Sequence, residues 1–237
     1  MAQLPHVAVL GPGLAGATAL VALVDAGLDA TGVGGRPTPA AAELLAAHAL
    51  MERWIPPAVR DATDTAGGPA AGGAPALTVA RVGDASGARG GFEVSIDGQP
   101  AGRWDALVVT ARDLAAAAGV LTAAPWYGGV FHPVAGGVFL LGVPDSGQVV
   151  RPDGERDLAL TRAQAGWVGE YLRGRYRLPT GEAMLDRPSL RRTGVRRGAA
   201  GYLRALDREL RAGRARAAAA GYPLPLPAAA PASPAAR

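Results

Sequence analysis

Cysteine is absent from the 237 residues. Disulfide frameworks, thiolate zinc sites, iron–sulfur clusters and cysteine nucleophiles are excluded with it. Lysine and asparagine are missing too, so all 24 basic residues are arginine. With 53 alanines, 34 glycines and 20 prolines, the composition follows a bias towards GC-rich codons. That bias, rather than a nucleic-acid partner, accounts for much of the sequence pI of about 10.1. Aromatic residues make up only 5% of the chain, which gives base stacking little support, and no nucleic acid is expected as a partner. The three histidines, His6, His48 and His132, stand in no metal-ligand spacing. A G-x-S-x-G elbow, an H-E-x-x-H pair and a G-x-x-x-x-G-K-[ST] loop are all lacking, so hydrolase and nucleoside-triphosphatase readings fall away. Long apolar runs are lacking as well. The longest, 14–24, stops at Asp25 and is too short to span a bilayer. The opening residues carry no basic segment of the kind that precedes a secretory signal, so a cytoplasmic protein without a membrane partner is expected.

What is present has a clear order. Residues 6–10 form a short apolar run ending in Gly11, residues 14–26 are helix formers closed by Gly27, and 29–33 read as a second strand. This is the opening of a βαβ unit. Apolar spacing over 40–53 predicts a helix stopped by Pro56 and Pro57. Residues 61–75 are almost wholly Ala, Gly, Thr, Asp and Pro, the composition of a flexible loop. The runs 77–82, 92–96 and 104–110 predict three strands of a meander, with a turn at Asp97-Gly98. Leu107, Val108 and Val109 are apolar on both faces, as a buried parallel strand requires, and 138–141 is a second run of that kind. Helices are predicted over 157–173 and 201–220, and the end of the chain is polyproline-like. Residues 151–216 hold 16 arginines against 8 acids, so the positive charge is concentrated there. The expected fold is a three-layer, Rossmann-like α/β domain with a parallel sheet and a β-meander, followed by a C-terminal helical arm.

Gly11-Pro12-Gly13-Leu14-Ala15-Gly16 fits G-x-G-x-x-G between a strand and a helix. The first glycine permits the tight turn, the second lets backbone amides approach a pyrophosphate, and the third allows close helix–strand packing. An acid should follow at the end of the second strand to hold a ribose hydroxyl. Here that strand runs into Gly34-Gly35-Arg36, and Asp29 stands at its other end. Arg36 is either a solvated loop residue or a partner for a 2′-phosphate, which would favour NADP. Among the histidines, His6 begins a strand and reads as structural, and His132 is the one candidate for proton transfer.

Two segments resemble the flavin-containing monooxygenase family of the actinobacterial type. One is Val7-Ala-Val-Leu-Gly-Pro-Gly-Leu-Ala-Gly16 with Asp25-Ala-Gly-Leu-Asp29. The other is Trp167-Val-Gly-Glu-Tyr-Leu-Arg-Gly-Arg-Tyr-Arg-Leu-Pro179 with Glu182-Ala-Met-Leu185, continued by 202–210 and 220–225. Trp104-Asp-Ala-Leu-Val-Val-Thr-Ala111 also looks like the strand with which such enzymes leave their FAD domain, with Arg112 in place of the expected glycine. The resemblance implies FAD as cofactor, its pyrophosphate held by the glycine loop of Gly11, Pro12, Gly13, Leu14, Ala15 and Gly16, and Val79 on the strand whose backbone meets the adenine; Arg36, after the second strand, stands beside them as a cofactor-contact candidate on its position alone. It also implies an NADPH domain, yet the second glycine loop and the F-x-G-x-x-x-H signature are missing, and residues 112–130 form only a short link. The expected organisation is therefore an FAD-binding domain over 1–178, a helical arm over 179–222 and a Pro/Ala-rich tail over 223–237. The expected function is that of a shortened monooxygenase-like oxidoreductase, reduced by a separate reductase or by a full-length homologue. The alternatives are a non-catalytic, partner-binding derivative of such an enzyme and a small NADP-binding reductase.

Overall fold

The computed structural model describes residues 4–55, 76–83, 90–110, 117, 125–133, 136–143, 155–190 and 199–221. The loop expected over 61–75 and the tail expected over 223–237 lie outside these, as does most of the 112–130 link. Strand β1 (His6–Leu10) leads through the glycine turn into helix α1 (Leu14–Asp25) and strand β2 (Asp29–Val33). Helix α2 (Pro39–Ala47) and strand β3 (Trp54–Ile55) follow, then β4 (Leu77–Val82), β5 (Gly91–Ile96), β6 (Gln99–Trp104), β7 (Ala106–Thr110) and β8 (Val138–Leu141). Three helices complete the chain: α3 (Glu155–Leu172), α4 (Gly181–Asp186) and α5 (Ala199–Ala219).

The strands form two sheets. One is parallel with order β3-β2-β1-β7-β8, and the other is an antiparallel meander with order β4-β5-β6. Successive side chains of a strand point to opposite faces, and both faces of the parallel sheet are covered. Val7, Val9, Ala106, Val108, Phe139 and Leu141 pack with α1 and α3. Ala8, Leu10, Leu107, Val109 and Val138 pack with Val79, Phe92, Val94, Ile96 and Trp104 of the meander. The molecule is therefore an α/β protein of Rossmann-like form, with helices on one side of the parallel sheet and an antiparallel sheet on the other.

Several elements differ from the sequence expectation, α4 among them, where no helix is expected. The run 104–110 is split at Asp105: its first residue closes β6 in the meander, and the rest is β7 in the parallel sheet. Asp105 makes that crossing possible by donating its N–H to the His6 carbonyl at 2.9 Å and accepting the His6 N–H on its carboxylate at 2.8 Å. The helix expected over 40–53 ends at Ala47, because Ala49 turns to φ 54° and the Leu50 N–H bonds back to the Leu45 carbonyl at 2.8 Å, which carries Leu50 into the core. A short 3₁₀ turn then delivers β3, whose Trp54 lies over Gly32 and donates its indole N–H to the Gly35 carbonyl at 3.1 Å.

Helix α5 packs on α3 through Tyr202 and Leu206. Its second half is held by Tyr176, whose hydroxyl donates to Glu209 at 2.7 Å; Arg216 completes the cluster by donating to the same carboxylate and to the Arg177 carbonyl. Burial, and then the Glu209 charge, push the Tyr176 phenol far above the ordinary tyrosine value.

Candidate functional site

In the parallel sheet the chain leaves β1 through α1 on one face and returns from β3 to β7 through the meander on the other. The carboxyl ends of β1 and β7 are thus a topological switch point, where open α/β sheets bind ligands. The glycine turn stands at this point. Gly11 has φ 134°, a conformation that side chains resist. A Cβ at Gly16 would be driven into the Gly11 carbonyl oxygen, so the third glycine is required by packing. Gly13 is different. It is the N-cap of α1 with φ −84° and ψ 176°, and no described atom lies within 4 Å of where its Cβ would be.

The electrical character of the turn suits an anion. Helix α1 has no acid in its first turn and no side-chain cap, so the leading amides from Leu14 to Gly16 lack an intrahelical acceptor and carry the positive end of the helix dipole. The Pro12 carbonyl, which would oppose an anion, accepts the Thr38 N–H at 2.9 Å. Leu14 and Ala15 are half-buried, and Gly16 is buried.

The same hydrogen bond brings the segment after β2 against the turn. Arg36 lies two residues before Thr38 and is exposed. Gly34, where the ribose acid is expected, has φ 142°, and a Cβ there would stand 3.3 Å from a Leu77 methyl. The start of β4 therefore abuts the carboxyl end of β2. Val79, two residues further, is buried in the cluster that holds Leu10 and Val33.

Other candidates lie elsewhere. Asp29 is at the amino end of β2 and pairs with Arg53 at 2.9 Å. His6 is at that same end, with its Nε2 3.1 Å from the Thr31 hydroxyl. His48 caps the carboxyl end of α2. His132 is buried, edge-on to Trp126 with ring centroids 5.1 Å apart. Phe131 bridges Phe139 in antiparallel fashion, so the next residue, His132, comes level with Val138 at the amino end of β8, below the glycine turn. Among the described residues no three His, Asp or Glu side chains gather as metal ligands, and no helix is long and apolar enough to cross a membrane.

Sequence reasoning passed over one polar group at this edge. Gln164 of α3 is fully buried; its Oε1 accepts the Gly142 N–H at 2.8 Å, and its Nε2 donates to the Val143 carbonyl at 2.9 Å and to the Tyr202 hydroxyl at 3.0 Å. Its readable signal was an amide on the apolar face of a helix, four residues after Leu160 and four before Val168. Comparisons with family models, curated proteins and solved structures return no match.

Proposed function

We propose that this chain is an FAD-binding, monooxygenase-like oxidoreductase whose flavin is reduced by another protein. The carrying observation is the division of labour in the glycine turn, with Gly16 closed against Gly11 and Gly13 open beside the free end of α1. That cradle fits a pyrophosphate, which the amides from Leu14 to Gly16 would hold while Pro12 stays engaged with Thr38. Beyond the pyrophosphate the fit changes. Gly34 supplies no carboxylate for a ribose, so that end of the dinucleotide rests on backbone and on the approach of β4. The meander between β3 and β7 keeps the second face of the sheet covered beside the glycine turn.

FAD, when bound, supplies the redox chemistry; the chain supplies binding and orientation. With no second glycine loop in the sequence, electrons are expected from a separate reductase or a full-length homologue. A second reading, a small NADP-binding reductase, is favoured by one observation: Arg36 is exposed two residues from the bond that ties its segment to the glycine turn. The missing carboxylate at Gly34 favours a third, a non-catalytic partner-binding derivative.

Titration of the purified chain with FAD, followed by flavin fluorescence, separates these readings. Saturable quenching is expected for the wild type and its loss for Gly13→Glu, whose Cβ enters open space and whose carboxylate would repel the pyrophosphate. Dithionite, but not NADPH alone, is expected to bleach the bound flavin. Preference for NADP over FAD would move the assignment to the second reading, and binding of neither to the third.

A further inference from the structure

The C-terminal helix is wired to the far wall of the same crevice. Gly142 follows β8, and Leu141 of β8 pairs with Thr110 of β7, which is level with Gly11. Two strand spacings separate Gly142 from the glycine turn, about 10 Å. That is within the length of one dinucleotide, so the segment 142–143 borders the crevice on the side opposite β2. Gly142 has φ 82°, and its N–H, together with the carbonyl of Val143, is clasped by the single side chain of Gln164. Both groups are thereby turned towards the helical layer. The clasp does not end at α3. Gln164 also donates to the Tyr202 hydroxyl of α5, and Tyr202 donates at 2.7 Å to the Gly128 carbonyl. Gln164 and Tyr202 are both at 0% exposure, so water offers these groups no replacement partner.

We infer that Gln164 is a positioning residue for the dinucleotide crevice, and that α5, through Tyr202, sets the conformation of the crevice wall at Gly142 and Val143. This rests on the FAD reading above. A purely cohesive role is the competing explanation, since any buried hydrogen bond supports a fold. Tyr176 provides the discriminating comparison: it is also buried, and its hydroxyl is also bonded to α5, but it donates to Glu209 rather than joining the Gln164 clasp.

The experiment measures FAD affinity by fluorescence quenching, and amide hydrogen exchange at Gly142 and Val143, in the full chain and in the variants Gln164→Leu, Gln164→Glu, Tyr202→Phe and Tyr176→Phe. Thermal unfolding of each variant confirms that it is folded. Gln164→Leu is expected to weaken FAD binding by about tenfold or more and to speed exchange at Gly142 by a similar factor, the scale of a lost buried hydrogen bond. Tyr202→Phe is expected to act in the same direction, and Gln164→Glu, which keeps an acceptor for Gly142 but loses the donor, to fall between Gln164→Leu and the wild type. Tyr176→Phe is expected to lower the melting temperature without changing the affinity. If the wild type binds FAD and Gln164→Leu binds it equally well, or if Tyr176→Phe weakens it as much as Tyr202→Phe does, the inference is overturned while the FAD reading stands. If the wild type takes up no FAD, the FAD reading fails, and the positioning role fails with it.

Discussion

At the scale of single residues, the glycine turn makes a contrast that can be measured. Gly16→Ala forces a methyl group into the Gly11 carbonyl and is expected to cost about 1–3 kcal/mol, the usual penalty for overpacking a tight contact. Gly13→Ala places its methyl in open space with ordinary dihedrals, and is expected to leave stability nearly unchanged. Urea unfolding of the two variants checks the pair. Tyr176 carries a second prediction. Burial and the neighbouring Glu209 hold its phenol protonated above the ordinary value of 10.0, whereas in the unfolded chain it ionises near that value. Above about pH 10 the unfolded state therefore releases a proton that the folded state keeps, and stability, complete below that pH, falls as pH rises. Tyr176→Phe is expected to flatten this alkaline slope, leaving the part due to Tyr171, whose phenol burial also raises.

At the scale of elements, the docking of α5 turns on one small residue. A Cβ at Gly213 would enter the Tyr176 ring, which is backed by Phe131 and Trp167 and has no room to retreat. Gly213→Ala is expected to lower stability by about 1–3 kcal/mol and to open α5 to protease before the rest of the chain. Which elements could be read in advance follows from the range of their causes. The order β1, α1, β2 was legible because it depends on local periodicity and on three glycines within six residues. β7 was recognisable as a buried strand, but its separation from β6 was not, because Asp105 is engaged with His6, 99 residues earlier. β3 has two residues and α4 six, too few for any period to register. The glycine turn of the candidate site was legible for the same local reason as β1. The clasp of Gln164 on Gly142 and Tyr202 was not, since its partners are 22 and 38 residues away and its only trace was a polar residue on an apolar face.

At the scale of the whole molecule, the two cores lie on opposite faces of the parallel sheet that carries the glycine turn, and a ligand that binds only the folded sheet stabilises the fold by mass action. FAD at about a hundred times its dissociation constant is expected to add about 2.7 kcal/mol, which for a chain of this size corresponds to a rise of about 5–10 °C in melting temperature. Gly13→Glu is expected to lose that rise while keeping the melting temperature of the ligand-free protein. The most direct test of the central claim is the visible absorbance spectrum of the protein after incubation with excess FAD and removal of free flavin by gel filtration. A flavin spectrum at one equivalent per chain, absent from Gly13→Glu, is the predicted result. A flat spectrum for the wild type, with no quenching of flavin fluorescence at saturating FAD, would contradict it.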